Sequence, residues 1–127
     1  MLIQVNVQNF KSFNELNSLN LIASNKLRKQ KERLYESDTI SLLKSTVIYG
    51  SNASGKSNFV EVLRFMKECV INQELPIESY NWYCRNHEDN REKISSFSVQ
   101  LLLDGDCYEY GFDAILNTQT IKDEWIV

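Results

Sequence analysis

Hydrophobic and polar positions alternate at the start of the chain, where Ile3, Val5 and Val7 are separated by Gln4, Asn6 and Gln8. A period of two belongs to a strand with one buried face, so a first strand is predicted over about residues 2–8. A second is predicted over about 16–22, with the turn-like stretch NFKSFNE between them. The run Ser45 to Tyr49 is β-branched and aromatic and reads as a third short strand, over 45–49. Phe59, Val62, Leu63, Met66 and Val70 then recur at helical spacing and Pro76 closes the region, which predicts a helix over about 56–71. Residues 77–95 are polar and read as irregular. The stretch FSVQLLLDGDCYEYGFDAIL shows two alternating runs around Asp104-Gly105, a hairpin signal. Phe97, Val99, Leu101 and Leu103 fall on one face of the first run, and Tyr108, Tyr110 and Phe112 on one face of the second. A turn at Asn117-Thr118 and a strand over about 121–127 complete an antiparallel meander spanning about 97–127.

Composition narrows the setting. A chain of 127 residues, 43% hydrophobic, makes one globular domain with a modest core, or part of a larger one. The net charge of −3 gives no general attraction to nucleic acid. Cys69, Cys84 and Cys107 are odd in number and widely spaced, which argues against a disulfide framework and for a reducing compartment. The start MLIQVNVQNF has neither a basic nor an apolar leader region, and no apolar run approaches membrane length. The expectation is a cytoplasmic, soluble chain with no membrane partner.

The candidate chemistry sits directly behind the 45–49 run, in GSNASGKSN. Gly50, four residues, then Gly55-Lys56-Ser57 is the phosphate-loop pattern G-x-x-x-x-G-K-[ST]. Such a loop wraps a phosphate so closely that backbone N–H groups point inward, and glycine is needed where a side chain would collide. The candidate nucleotide-binding residues are Gly50, Ser51, Asn52, Ala53, Ser54, Gly55, Lys56, Ser57 and Asn58. Lys56 would supply charge to the β- and γ-phosphates, and the Ser57 hydroxyl would ligate Mg²⁺. The helix that begins here turns its positive end toward the same anion. Two of the chain's four glycines occupy the motif's required positions.

Other constellations carry less. Cys84 and His87 have C-x-x-H spacing, but no second pair follows at zinc-ligand spacing. The basic run Lys26, Arg28, Lys29, Lys31 and Arg33 fits phosphate-backbone contact, and equally a solvated helix face or loop anchored by Leu27 and Leu34. Leu101-Leu102-Leu103-Asp104 is the one run resembling a Walker B strand with its Mg²⁺-holding acid. The following Gly105-Asp106 and the strict alternation favour a hairpin turn instead, and Ser98 and Gln100 interrupt what would be a doubly buried strand.

The segments LIQVNVQNFKSF, YGSNASGKSN and EVLRFMKECV resemble the N-terminal part of SMC/RecF-type ATPases, most of all bacterial ATPases of abortive infection and anti-phage defence. Many of those loops carry glycine where this chain has Ala53, so the likeness is to a subgroup. The resemblance implies a P-loop NTPase fold of the α/β class with α+β features: the N-terminal part of an ABC/SMC-type head carrying an antiparallel meander. It implies binding of ATP with Mg²⁺ and head-to-head pairing as a homodimer, with nucleic acid or an effector protein as further partners. In related heads the β1–β2 connection passes near the base and sugar, which makes Lys11, between Phe10 and Ser12, a candidate nucleotide contact. Such heads also need a Walker B acid, a signature loop and a switch histidine, none of which is found in these residues. The chain alone is therefore expected to bind nucleotide weakly or not detectably, not to turn it over, and to self-associate through an uncovered apolar surface or repack so as to hide it. Two other readings stay open: a self-contained nucleotide- or partner-binding module, and a small kinase or GTPase using Asp104.

Overall fold

The computed structural model describes residues 1–24, 31–50 and 55–127. Five strands form one antiparallel sheet in the order β2-β1-β5-β6-β7. They are β1 (Leu2–Gln8), β2 (Asn17–Asn20), β5 (Ser95–Leu103), β6 (Asp106–Ile115) and β7 (Thr120–Ile126). A small hairpin of β3 (Leu34–Glu36) and β4 (Ser41–Leu43) joins the β2 side through an Ile22–Leu42 bridge. The only α-helix among the described residues, α1 (Lys56–Asn72), covers one face of the sheet.

Why α1 lies where it does follows from its stripe. Val62, Phe65, Met66 and Cys69 are buried, a spacing of three, one and three residues that puts them on one face. They pack on Val5, Val7, Phe97 and Phe112 of the sheet. Phe65 anchors the contact, its ring centroid 5.0 Å from Phe97 and 5.4 Å from Phe10. Burial, then the charge of Glu68, pushes the Cys69 thiol up to about 12. The predicted stripe therefore shifts: Val70 is 53% exposed, and Phe65 and Cys69 take the core positions.

The meander follows its alternation closely. Asp104 (φ 53°) and Gly105 (φ 94°) are both left-handed between the paired residues Leu103 and Asp106, the two-residue turn that matches strand twist. Leu103 and Tyr108, beside that turn, are exposed rather than covered. In β1 the pairing register shifts between Leu2 and Gln4, so the expected common face of Ile3, Val5 and Val7 is broken. Val5 and Val7 stay under α1, whereas Ile3 joins a second cluster with Leu42 and Leu102.

The opposite face of the sheet is a ladder of polar side chains. Asn20 donates to Gln4, Gln4 and Ser18 to Asn6 Oδ1, and Asn6 to Ser98 Oγ at 3.0 Å. Further along, Gln100 Nε2 and Trp125 Nε1 both donate to the Glu109 carboxylate. The Trp125 ring lies over Gly111, where any Cβ would collide with it.

One predicted element is absent. Residues 45–49 are not a strand: past β4 they pair with no described strand on the way to Gly50, with Val47 80% and Tyr49 88% exposed. β propensity reflects fit to neighbouring strands and a covered face, and no described strand lies alongside to provide either. The predicted strand over 16–22 is shorter, Asn17–Asn20. Of the basic segment, residues 25–30 lie outside the described residues, and Lys31–Arg33 form one exposed 3₁₀ turn before β3.

Candidate functional site

Gly55 caps α1 in the left-handed conformation (φ 82°), so the residue that ends the loop motif is also the one that starts the helix. Lys56 and Ser57 follow as its first two residues, Ser57 exposed. Lys56 Nζ donates to the Gly50 carbonyl at 2.6 Å, closing the span between the motif's two glycines. No acidic side chain occupies the first turn of α1, which leaves the positive helix end uncompensated there. The motif positions Ser51, Asn52, Ala53 and Ser54 lie outside the described residues.

The β1–β2 turn is docked on this helix start. Asn58 Nδ2 donates to Ser12 Oγ at 2.6 Å, and Lys11 Nζ pairs with Glu61 at 3.3 Å. Phe13 packs against Phe59, with ring centroids 4.7 Å apart. Lys11 also stands 4.4 Å from the centre of the Trp82 ring, and its backbone N–H donates to the Trp82 carbonyl at 2.6 Å. Lys11, Trp82, Asn81, Tyr83, Arg85 and Asn86 line a small open cavity of about 330 Å³. Sequence reasoning placed Lys11 near the nucleotide. The structure brings it to the helix start, where Glu61 and Trp82 hold its ammonium.

Behind the turn lies a buried amide network that no local pattern announces. Asn9 Nδ2 donates to the Asn90 carbonyl at 2.9 Å, and the Asn9 side-chain oxygen accepts from Cys84 N–H at 3.0 Å. Asn90 Nδ2 donates to the Cys84 carbonyl and to Asn14 Oδ1, and Ser95 Oγ donates to the Asn9 carbonyl. These bonds tie the polar 77–95 segment, with its 3₁₀ turns Ile77–Asn81 and Glu88–Arg91, to the back of the β1–β2 turn. Its partners are some eighty residues away in sequence, so spacing gave no signal. Cys84 enters this network through its backbone N–H and carbonyl and is buried, whereas His87 is exposed. Among the described residues no group of three metal-ligating side chains exists.

Asp104 is placed at the exposed tip of the β5–β6 hairpin, so the Walker B reading of Leu101 to Asp104 is replaced by a turn. A wider cavity, about 880 Å³, lies elsewhere, between α1 and β5–β7. It is apolar, lined by Leu63, Met66, Val99, Leu101, Ile121 and Ile126 among others, with Tyr110 donating to Glu124 on its wall. Burial, then that carboxylate, keeps the Tyr110 phenol protonated far above its usual range. It contains none of the motif residues.

No described helix is long and apolar enough to cross a membrane. A search of curated proteins finds no match. A family model does match, over residues 45–126, with the description "AAA domain, putative AbiEii toxin, Type IV TA system". That span takes in the loop motif, α1 and the whole meander, and supports a nucleotide-binding, ATPase-like function. The chain belongs to this family of AAA domains.

Proposed function

We propose that residues 50–58 hold the β- and γ-phosphates of MgATP, in the head of an SMC/RecF-like ATPase. The observation that carries this reading is the G-x-x-x-x-G-K-S motif at the N-terminal end of the 17-residue helix α1, with Gly55 left-handed at the junction. Phosphate would take the place of the Gly50 carbonyl as the partner of Lys56, Ser57 would ligate Mg²⁺, and Lys11 stands one helix turn away. ATP hydrolysis also needs a group that orients water, and Asp104 is at the wrong place to be that group. We assign it to the rest of an intact head and to a second head, and the family description, with its words "putative AbiEii toxin, Type IV TA system", supports a toxin–antitoxin setting. The uncovered 45–49 segment fits such an incomplete sheet.

Calorimetry with MgATP tests the reading. Lys56→Ala should lower affinity at least tenfold, about 1.4 kcal/mol, without unfolding the chain. Equal affinity in the variant would sink it. A second reading, a self-contained nucleotide switch, differs in predicting stable binding by this chain alone, and phosphate release above the Lys56→Ala control would count against both.

A further inference from the structure

The β1–β2 turn and the start of α1 meet more closely than a strand connection requires. A Cβ on Gly55 would collide with Ser12 Oγ, so the bare glycine is what admits the serine. The same Ser12 Oγ accepts from Asn58 Nδ2 at 2.6 Å. One turn further along α1, Glu61 accepts from Lys11 Nζ at 3.3 Å. Asn58 and Glu61 are three residues apart and lie on one helix face, so the turn grips the helix at two successive points. From behind, the turn is fixed by Asn9 and by the Lys11 N–H to Trp82 carbonyl bond. Two non-glycine residues within it, Asn9 (φ 51°) and Lys11 (φ 50°), are left-handed, a conformation that persists where surroundings impose it.

A phosphate site at a helix N-terminus works only when its amides aim at one point. Fraying or rotation of the first turn would misdirect them, and α1 starts without a side-chain cap bond to hold that turn. We propose that Ser12 and Asn58 form an interlock that sets the azimuth of the loop end of α1, making both of them positioning residues for the nucleotide. This rests on the phosphate-loop reading. Ser12 acts through Asn58 and the helix start, so its hydroxyl need not touch ATP.

The test is a cycle in the full chain of Ser12→Ala, Asn58→Ala and the double variant, with Ser12→Thr as the conservative replacement and Lys56→Ala as control. MgATP affinity is read by calorimetry, thermal unfolding by its midpoint, and amide exchange at residues 56–60 without nucleotide. Each single variant should lose about threefold to tenfold in affinity, the size of one hydrogen bond. The double variant should lose no more than either single. Ser12→Thr should bind as the wild type does, midpoints should stay level, and amide exchange should rise alike in all three alanine variants. Unchanged affinity or unchanged exchange in Ser12→Ala, or losses that simply add, would overturn the interlock. MgATP binding that depends on Lys56 but ignores Ser12 would overturn it alone, whereas MgATP binding that ignores both Lys56 and Ser12 would overturn the phosphate-loop reading and the positioning role together.

Discussion

Two runs of this chain have nearly the same β-forming character and opposite fates. Residues 97–103 and 106–115 alternate, find each other across a two-residue turn, and lay Phe97 and Phe112 under α1. Residues 45–49, as β-branched and aromatic as either, pair with no described strand and leave Val47 and Tyr49 in solvent. The difference lies in partners rather than in composition. The meander carries its own partner a few residues away and an apolar cover in α1, so local pairing is rewarded at once. The approach to the loop has neither among the described residues.

The comparison can be broken most forcefully at the cover. Phe65→Ala removes the ring that touches Phe10, Phe97, Phe112 and Trp82. It should cost about 3–5 kcal/mol, read as a lowered denaturant midpoint. A loss below 1 kcal/mol would mean that the sheet does not depend on α1. Within the meander, Gly111→Ala places a Cβ against the Trp125 ring and the Phe97 carbonyl. It should cost about 1–3 kcal/mol as overpacking, and Trp125 fluorescence should shift with it. At the other run, Tyr49→Ser should change stability by less than about 0.5 kcal/mol, as for a surface site. A large loss there would show that the segment is packed after all.

Patterns that repeat along the chain were legible. Alternation located β1 and the meander, helical spacing located α1, and the motif marked the helix start, because each rests on neighbours within one element. The register shift at Leu2–Gln4 that turns Ile3 away was not legible, since it depends on how β1 meets β5. The exchange of Val70 for Phe65 and Cys69 in the core likewise depends on the angle at which α1 crosses the sheet. Of the candidate site residues, Gly55, Lys56 and Ser57 were named from spacing and Lys11 from resemblance, and the structure gathers them around the start of α1. The Asn9–Cys84–Asn90 network and the Ser12–Asn58 contact join residues that only the closed fold brings together. The strand expected over 45–49 failed for the converse reason: its propensity was read correctly, but propensity does not provide a neighbour.

The strand order carries a consequence in time. β1 is made first, yet its ladder to β5 pairs Val7 with Phe97 and Leu2 with Leu101, across nearly the whole chain. The β5–β6 and β6–β7 pairings close over short turns. Loop closure over ninety residues must be met before β1 gains anything, so long-range pairing is the slow step. During synthesis the N-terminal strand must wait, edge exposed, until the ribosome has released β5, and the β1–β2 turn cannot reach its buried amides before then. Pulse-labelled refolding should show amides of β6 and β7 protected before those of β1. Simultaneous protection would mean that the sheet closes in one step.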